Sequence, residues 1–313
     1  MNEKRFDVIA VGMINFDINV RLFDPGKLGG KIQEVEQISL GFGGDAQNCS
    51  ATMSRLGLRT AICGVVGDDI AGDICIAYEN KTGIDTSMVG RKPVQTGTAI
   101  QLFQTAEAHV VDCAGANREF DLADIPEELY GASRIVSLHS FYGCGRLGAE
   151  FLRRAREAGA VTVADTTSLL PGDSFEDIRD SLQYLDYFVP SIAEASSIAG
   201  ESDPSAIADR FLECGARNVV IKMGADGCFI KNREICRMVK GFKVDNVLDT
   251  TGCGDSFVAG FIAGLVKGAP IQECARIANA AGAINATVVG SNGGVKSYAQ
   301  LMDFIKQSET MED

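Results

Sequence analysis

Short apolar runs rich in β-branched residues alternate along most of the chain with segments of helical periodicity. The runs "FDVIAVG", "TAICGVVG" and "RNVVIKMG" are mostly apolar, whereas "GAEFLRRAREAG" and "PSAIADRFLECG" carry apolar residues at helical spacing and end at a glycine. Strands that are apolar on both faces are typical of parallel sheets covered by helices. The alternation therefore predicts an α/β fold of repeated βα units around a mainly parallel sheet.

Two regions depart from this alternation. Residues 33–40 read "QEVEQISL", and the segments "GTAIQLFQ" and "AHVVDCAG" are joined by residues 105–107. These segments resemble short strands and a hairpin, so we predict a small, partly exposed β-sheet lid formed by residues of about 16–40 and 95–115. An extra antiparallel edge on the main sheet is the alternative. With 313 residues, the chain suits one large domain, 1–313, that includes the lid.

Charge and cysteine spacing argue against several classes of protein. The formal net charge is −13 and no Lys/Arg cluster occurs, which disfavours nucleic acid as a partner. No uncharged apolar stretch reaches the roughly 18 residues of a membrane span. The ten cysteines include no C-x-x-C pair, so a disulfide framework or metal site is not favoured. We expect a cytoplasmic protein without a membrane partner.

Residues 248–261, "LDTTGCGDSFVAGF", place a carboxylate on each side of a glycine-flanked cysteine. The preceding "KVDNVLDT" is a plausible strand and residues 257–267 have a helical pattern, which predicts a strand-to-helix turn. Glycines allow close approach of a ligand, and the N–H groups of a helix N-terminus favour an anion such as phosphate. Asp255 then fits either a general base for an attacking hydroxyl or the N-cap of the helix.

A second glycine cluster, "GFGGDAQNCSATMSRLG" at residues 41–57, predicts a helix that ends at Gly57. Asp45 and Asn48 at its start are able to bind neutral hydroxyls, which favours a polyol ligand, although a simple glycine turn is the alternative. Asp17 follows the buried run "VIAVGMIN" and is expected at the carboxyl end of a strand, where open α/β sheets bind ligands. A turn aspartate is the alternative there.

Four segments, in order, resemble signatures of the ribokinase (PfkB-type) family of carbohydrate and nucleoside kinases. They are "GGDAQNCSATMSRLG", "GVVGDDIAG", "KMGADG" and "DTTGCGDSF", and the resemblance covers nearly the whole chain. It implies a Rossmann-like αβα sandwich with a β-sheet lid, ATP as the phosphoryl donor together with Mg²⁺, and a sugar or nucleoside hydroxyl as the acceptor. It also implies a homodimer formed through the lid.

The resemblance further implies roles for single residues. Asp255 matches the catalytic base, and Gly252, Cys253 and Gly254 match the backbone anion hole. The other matches are Asn15, Asp17, Gly44 and Asn48 for the acceptor, Gly224, Gly227 and Asn279 for the nucleotide, and Asp249 and Thr251 for a monovalent cation such as K⁺. We also assign Asp45 to the acceptor, Ser191 and Lys222 to the nucleotide, and Glu194 to Mg²⁺ through water.

Departures from the family pattern leave several alternatives open. Ser191 stands where the family usually has Asn, and Ser191 with Glu194 also suits a helix capping box. Asp45 stands where ribose-specific members tend to carry lysine, which disfavours ribose. A sugar kinase, a nucleoside kinase and a non-catalytic sugar-binding relative all remain compatible with the sequence. A nucleoside would need an aromatic residue for stacking, such as Phe16, Phe103 or Tyr142.

Overall fold

The apolar runs "FDVIAVG", "TAICGVVG" and "RNVVIKMG" form strands of the main β-sheet, as predicted. The computed structural model describes residues 4–21, 23–27, 30, 32–103, 108–141, 148–167, 169 and 172–312. The strands in these ranges are β1 (Phe6–Val11), β2 (Asn15–Arg21), β3 (Gln37–Gly43), β4 (Thr60–Gly67), β5 (Asp85–Lys92), β6 (Gly97–Phe103), β7 (Ala108–Cys113), β8 (Ser133–Leu138), β9 (Val161–Ala164), β10 (Tyr187–Phe188), β11 (Val219–Lys222), β12 (Gly227–Lys231) and β13 (Cys236–Lys240).

Helices cover both faces of this sheet. In the described part of the chain they are α1 (Asp45–Arg55), α2 (Ile70–Lys81), α3 (Leu129–Ala132), α4 (Gly148–Glu157), α5 (Phe175–Leu182), α6 (Ile192–Ala199), α7 (Pro204–Glu213), α8 (Cys253–Val266), α9 (Ile271–Asn285) and α10 (Tyr298–Glu312). Residues of α3–α7 pack in the apolar layer on one face, and residues of α1, α2 and α8–α10 pack on the other. This arrangement confirms the αβα sandwich.

Strand pairing places the carboxyl ends of six central strands at one edge of the main sheet. The order is β13-β12-β11-β10-β9-β8-β1-β4-β5, and every neighbouring pair from β11 to β5 is parallel. Only the β12–β13 hairpin is antiparallel to its neighbours. The sheet is therefore mainly parallel, as predicted, and its strands β1, β8, β9, β10, β11 and β4 point their carboxyl ends toward a common region.

A separate four-stranded sheet lies beside the main one, with the order β3-β2-β6-β7. Strands β2 and β6 run parallel, whereas β3 and β7 are antiparallel to their neighbours. We refer to it as the small sheet. Its strands fall in the predicted lid segments, 16–40 and 95–115, except that β2 begins at residue 15 and β3 extends to residue 43. Residues 105–107, the predicted connection of the hairpin, lie outside the described residues. The alternative of an extra edge on the main sheet is wrong.

The predicted strand "KVDNVLDT" at residues 243–250 is absent from the structure, so the prediction is wrong there. Val247 and Leu248 are about half exposed, at 50% and 49%. Leu248 N–H donates to Ala286 O of the loop after α9 rather than to a strand. The segment contains apolar residues, but no neighbouring strand forms backbone hydrogen bonds with it in the described structure. The following helix, α8, begins at Cys253 and not at residue 257.

Candidate active site

Two adjoining pockets lie at the carboxyl ends of the central strands. The polar pocket has a volume of about 360 Å³ and lies between the small sheet, the start of α1 and the start of α8. The apolar pocket has a volume of about 490 Å³ and lies between the turn after β11, residues 241–247 and helices α8 and α9. Lys222 and Gly254 line both pockets, so the two cavities meet at these residues.

The glycine turn before α8 shapes the junction of the pockets. Gly252 is the N-cap of α8 and has a φ of +71°, and a Cβ atom there would overlap the carbonyl oxygen of Ser291. Cys253 N–H donates to Thr250 O at 3.2 Å. A Cβ atom on Gly254 would lie 3.4 Å from the Lys222 ammonium nitrogen. The turn thus requires glycine at position 252 for both conformation and close approach, and it exposes the first turn of a helix to the junction.

Asp255 lies in the first turn of α8, three residues after the N-cap, so its alternative role as N-cap is wrong. Its Oδ2 accepts a hydrogen bond from Asn48 Nδ2 at 2.8 Å, and Asn48 Oδ1 accepts one from Asn292 Nδ2 at 2.9 Å. Burial raises the pKa of Asp255 to about 6, although the Asn48 hydrogen bond and the Lys222 charge oppose the rise. A carboxylate with such a pKa is well suited to accept a proton near neutral pH.

An ion pair between Lys222 and Asp165 occupies the junction, and sequence reasoning missed Asp165. Lys222 Nζ donates to the two carboxylate oxygens of Asp165 at 2.7 and 2.6 Å, and both side chains are almost fully buried. Burial lowers the pKa of Lys222, but the carboxylates of Asp165, Glu194 and Asp255 outweigh that effect and leave the pKa raised. Asp165 directly follows β9, so its position at a strand's carboxyl end was the available signal.

The small sheet contributes a carboxylate to the polar pocket. Asp17 lies within β2 and is only 3% exposed. Both its expected position at the carboxyl end of the first buried strand, which ends at Val11, and its alternative role as a turn residue are therefore wrong. Its Oδ2 accepts a hydrogen bond from Gln101 Nε2 of β6 at 2.9 Å. Burial raises the pKa of Asp17 to about 7, and the nearby carboxylate of Asp112 raises it further. Gly43 leaves room for this side chain, because a Cβ atom there would overlap the Asp17 carboxylate.

Other predicted acceptor residues surround Asp17 in the polar pocket. Asn15 Oδ1 accepts a hydrogen bond from Asn117 Nδ2 at 2.7 Å. Asp45 accepts hydrogen bonds from the Ser140 hydroxyl and from Ala46 N–H. Burial and the charge of Asp255 raise the pKa of Asp45 well above its usual range. The predicted acceptor residues that line the pocket are Asn15, Asp17, Gly44, Asp45 and Asn48.

All the predicted nucleotide residues except Ser191 line the apolar pocket, and Ser191 lines neither pocket. Gly224 and Gly227 have φ values of +60° and +103° and line the apolar pocket with Asn279. Asn279 Nδ2 donates to the carbonyl oxygens of residues 239 and 240 at 3.1 and 3.0 Å, which ties α9 to β13. Ser191 and Glu194 form the capping box of α6, and the Glu194 side chain lines the polar pocket.

The two residues expected at a cation site take part in hydrogen bonds between the Asp249 side chain and the backbone. Asp249 is 1% exposed, and its Oδ1 accepts the Thr251 N–H while its Oδ2 accepts the Gly290 N–H, both at 2.9 Å. Asp249 therefore holds the glycine turn against the loop that follows α9. Among the described residues, no group of three or more His, Cys, Asp or Glu side chains is arranged to bind a metal ion.

Phe16 and Phe103, two of the residues considered for base stacking, line neither pocket. Phe16 packs edge-on against Phe42, with ring centroids 6.3 Å apart, and Phe103 is buried at 3% exposure. Tyr142 lies outside the described residues. No aromatic side chain lines the polar pocket among the residues that the structure describes.

Each helix in the described part of the chain is too short or too polar to cross a membrane.

Comparisons with known proteins agree with this architecture. The model of the pfkB family of carbohydrate kinases matches residues 5–297. A 2-dehydro-3-deoxygluconokinase of Bacillus subtilis is 28% identical, over 95% of this chain and 96% of the relative. An uncharacterised sugar kinase of Archaeoglobus fulgidus is 32% identical, over 72% of this chain and 91% of the relative.

A solved structure shows the same fold. The crystal structure of a ribokinase from Thermotoga maritima superimposes with a TM-score of 0.81 at 26% identity, and the match covers 96% of this chain and 99% of the ribokinase. The large, mostly parallel sheet with a small second sheet is thus a ribokinase-like fold. Together with the family match over most of the sequence, it shows that the chain belongs to the pfkB family of carbohydrate kinases.

Proposed function

We propose that the protein transfers the γ-phosphoryl group of ATP to a hydroxyl of a small sugar or sugar derivative. The observation that carries this proposal is the meeting of two pockets at Gly254 and Lys222, with Asp255 on the polar side of the junction. A donor in the apolar pocket and an acceptor in the polar pocket would bring their reacting atoms together at the start of α8. Such positioning is a large part of phosphoryl-transfer catalysis.

Asp255 is the general base in this proposal. Its carboxylate, oriented by Asn48, accepts the proton of the acceptor hydroxyl as that oxygen attacks the phosphorus atom. The backbone N–H groups of the first turn of α8 stabilise the charge on the transferring group, as the dipole of a helix N-terminus does for anions. Lys222, at the junction, contacts the same phosphoryl oxygens. Asn48 thus acts on the acceptor side of the reaction by orienting Asp255, and Lys222 acts on the donor side by contacting the phosphoryl group.

The apolar pocket fits ATP. Its walls include Phe242, Val244, Val247 and Ala283, which suit a purine ring, and the turn at Gly224 allows backbone approach to phosphates. Mg²⁺ is bound mainly by substrate phosphates and waters in such enzymes, so Glu194 is a sufficient protein partner through water. Bound Mg²⁺ would neutralise charge on the phosphates.

A sugar is favoured over a nucleoside as the acceptor because the described lining of the polar pocket contains amides and carboxylates but no aromatic ring. A nucleoside kinase is the alternative. A purely binding relative would not need a buried carboxylate beside a helix N-terminus. A K⁺ site at Asp249 and Thr251 stays a prediction, and so does the cytoplasmic location. The two backbone hydrogen bonds that Asp249 accepts explain why an aspartate is needed there even without a bound cation.

Kinase activity is testable with a panel of hexoses, pentoses, sugar acids and nucleosides assayed for ATP consumption with Mg²⁺. We expect turnover with a sugar, and a decrease in kcat of about 10²–10⁴-fold for Asp255→Asn, since that is the usual contribution of a general base. Asp180→Asn, at an exposed position on α5, is the matched control. A folded Asp255→Asn protein with more than about a tenth of the activity would contradict the role of Asp255.

A further inference from the structure

We infer that the acceptor carries no negative charge, so that the polar pocket selects uncharged polyhydroxy compounds over sugar acids and sugar phosphates. The inference rests on the proposed kinase function and narrows its substrate class. It is drawn from the charges and hydrogen bonds of the side chains that line the pocket, and it separates this chain from the sugar-acid kinase to which it is similar in sequence.

Carboxylates outnumber cationic groups in the described lining of the polar pocket. Lys222 is the one cationic side chain among the described lining residues, and it is already paired with Asp165 at 2.6 Å. The charge of Arg118 acts on Asp112, but Arg118 is exposed and is not part of the described lining. The carboxylates that line the pocket are Asp17, Asp45, Asp112, Asp165, Glu194 and Asp255.

The distribution of these charges matters as much as their number. Lys222 lies at the junction with the apolar pocket, where the phosphoryl group is transferred. The opposite wall, formed by the small sheet and the start of α1, carries Asp17, Asp45 and Asp112 without a lysine or arginine among its described lining residues. At the assay pH of 8, which is above the pKa of about 7 of Asp17, a second anionic group on the acceptor would face the negative charges of Asp17 and Asp112 in a confined space, where repulsion between like charges is strong. Burial holds the pKa of Asp45 well above its usual range, so the repulsion is assigned to Asp17 and Asp112 alone.

Hydrogen bonding points to the same class of ligand. The Oδ1 atom of Asp17 is buried and has no hydrogen-bond partner within the described part of the chain, while Oδ2 accepts from Gln101. A buried carboxylate oxygen without a donor is costly, so the site is completed by a ligand group that donates. A sugar hydroxyl donates a hydrogen bond, whereas an ionised carboxylate or phosphate only accepts. The wall at Asp17 therefore matches hydroxyls and rejects acids.

The test compares acceptors that differ in one charged group. The pairs are 3-deoxyfructose against 2-dehydro-3-deoxygluconate, fructose against fructose 6-phosphate, and glucitol against gluconate. Binding is measured by calorimetry at pH 8 with a non-hydrolysable ATP analogue and Mg²⁺, and turnover is measured separately with ATP. We expect an uncharged member to bind at least tenfold more tightly than its anionic partner and to have the higher kcat/KM.

Asp112→Asn tests the cause of the selection, since it removes one negative charge from the exposed rim of the pocket. This variant should raise the affinity for the anionic member relative to its uncharged partner about threefold or more, whereas Asp180→Asn should leave that ratio unchanged. Tighter binding of the anionic member in wild type, or no binding of any uncharged member, would overturn the inference. Selective binding of uncharged members without any phosphorylation would support the inference and contradict the kinase proposal alone.

Discussion

Asp165 shows how one side chain acts on the proposed chemistry through another. It holds the Lys222 ammonium between the two pockets, and both lie near Asp255. Asp165→Asn removes a negative charge, which should lower the pKa of Asp255 and move the acid limb of the kcat/KM profile below pH 6. Lys222→Met removes a positive charge and should move that limb to higher pH. Rate profiles between pH 4.5 and 8 measure both shifts.

Loss of either partner also leaves a buried charge unpaired, which typically costs about 3–5 kcal/mol of stability. The double variant Asp165→Asn/Lys222→Met removes both charges and should recover most of that stability in urea unfolding. It should not recover kcat, because the ammonium at the junction is missing. Equal kcat in the double variant and the wild type would assign the pair a purely structural role.

The contact between α1 and α2 contains a buried acid that the proposed reaction does not use. Glu79 of α2 is 1% exposed and lies beside Gln47 of α1. Burial raises its pKa from 4.5 to about 8, although the Gln47 amide and the Arg55 charge oppose the rise. Because the pKa is raised in the folded state, the stabilising contribution of protonated Glu79 is complete below about pH 4.5 and is lost as the pH rises through about 8.

Glu79→Gln should therefore remove part of the decline in the free energy of unfolding between pH 4.5 and 8. The upper limit of its effect is about 5 kcal/mol, from about 1.4 kcal/mol per pKa unit. Urea unfolding at several pH values measures the difference between the variant and the wild type. Glu213→Gln, at an exposed position on α7, is the matched control. Parallel pH profiles for Glu79→Gln and wild type would show that Glu79 ionises normally in the folded protein.

At the scale of the whole molecule, the outer face of the small sheet is apolar and exposed. Ile18 pairs with Leu40 and Ile100, and Ile100 pairs with Val111, so these side chains share the face opposite Asp17. Leu40 and Val111 are 62% and 54% exposed. A contiguous apolar sheet face of this kind favours association with a second copy of the chain.

We expect a dimer at micromolar concentration in analytical ultracentrifugation. Ile38→Lys/Leu40→Lys should shift the protein to monomer and keep its circular dichroism spectrum, since both side chains are exposed. Met238→Lys on the edge strand β13 replaces another exposed apolar side chain and should leave the dimer intact. A wild-type protein that sediments only as a monomer would show that another partner, or none, covers this face.

Local sequence was sufficient for the features that depend on local physics. The run "TAICGVVG" forms β4 because it is mostly apolar and lies between two helical layers, and all eight of its residues are buried. Ser191 and Glu194 form the capping box because a serine followed three residues later by glutamate satisfies N–H groups of the same turn. The failure at "KVDNVLDT" has the opposite cause: a strand needs a neighbouring strand, and apolar composition does not provide one.

The sequence by itself determined the layered fold and the glycine turns and led to the proposal of Asp255 as general base, since these follow from periodicity, φ requirements and a local signature. Only the tertiary structure decided which distant groups meet. The Asn48–Asp255 hydrogen bond joins residues 207 apart, and the Lys222–Asp165 pair joins residues 57 apart. No local pattern encodes such pairs, because strand order and helix packing bring them together. The same packing gathers six carboxylates in one pocket, and that concentration of charge is what the proposed acceptor preference depends on.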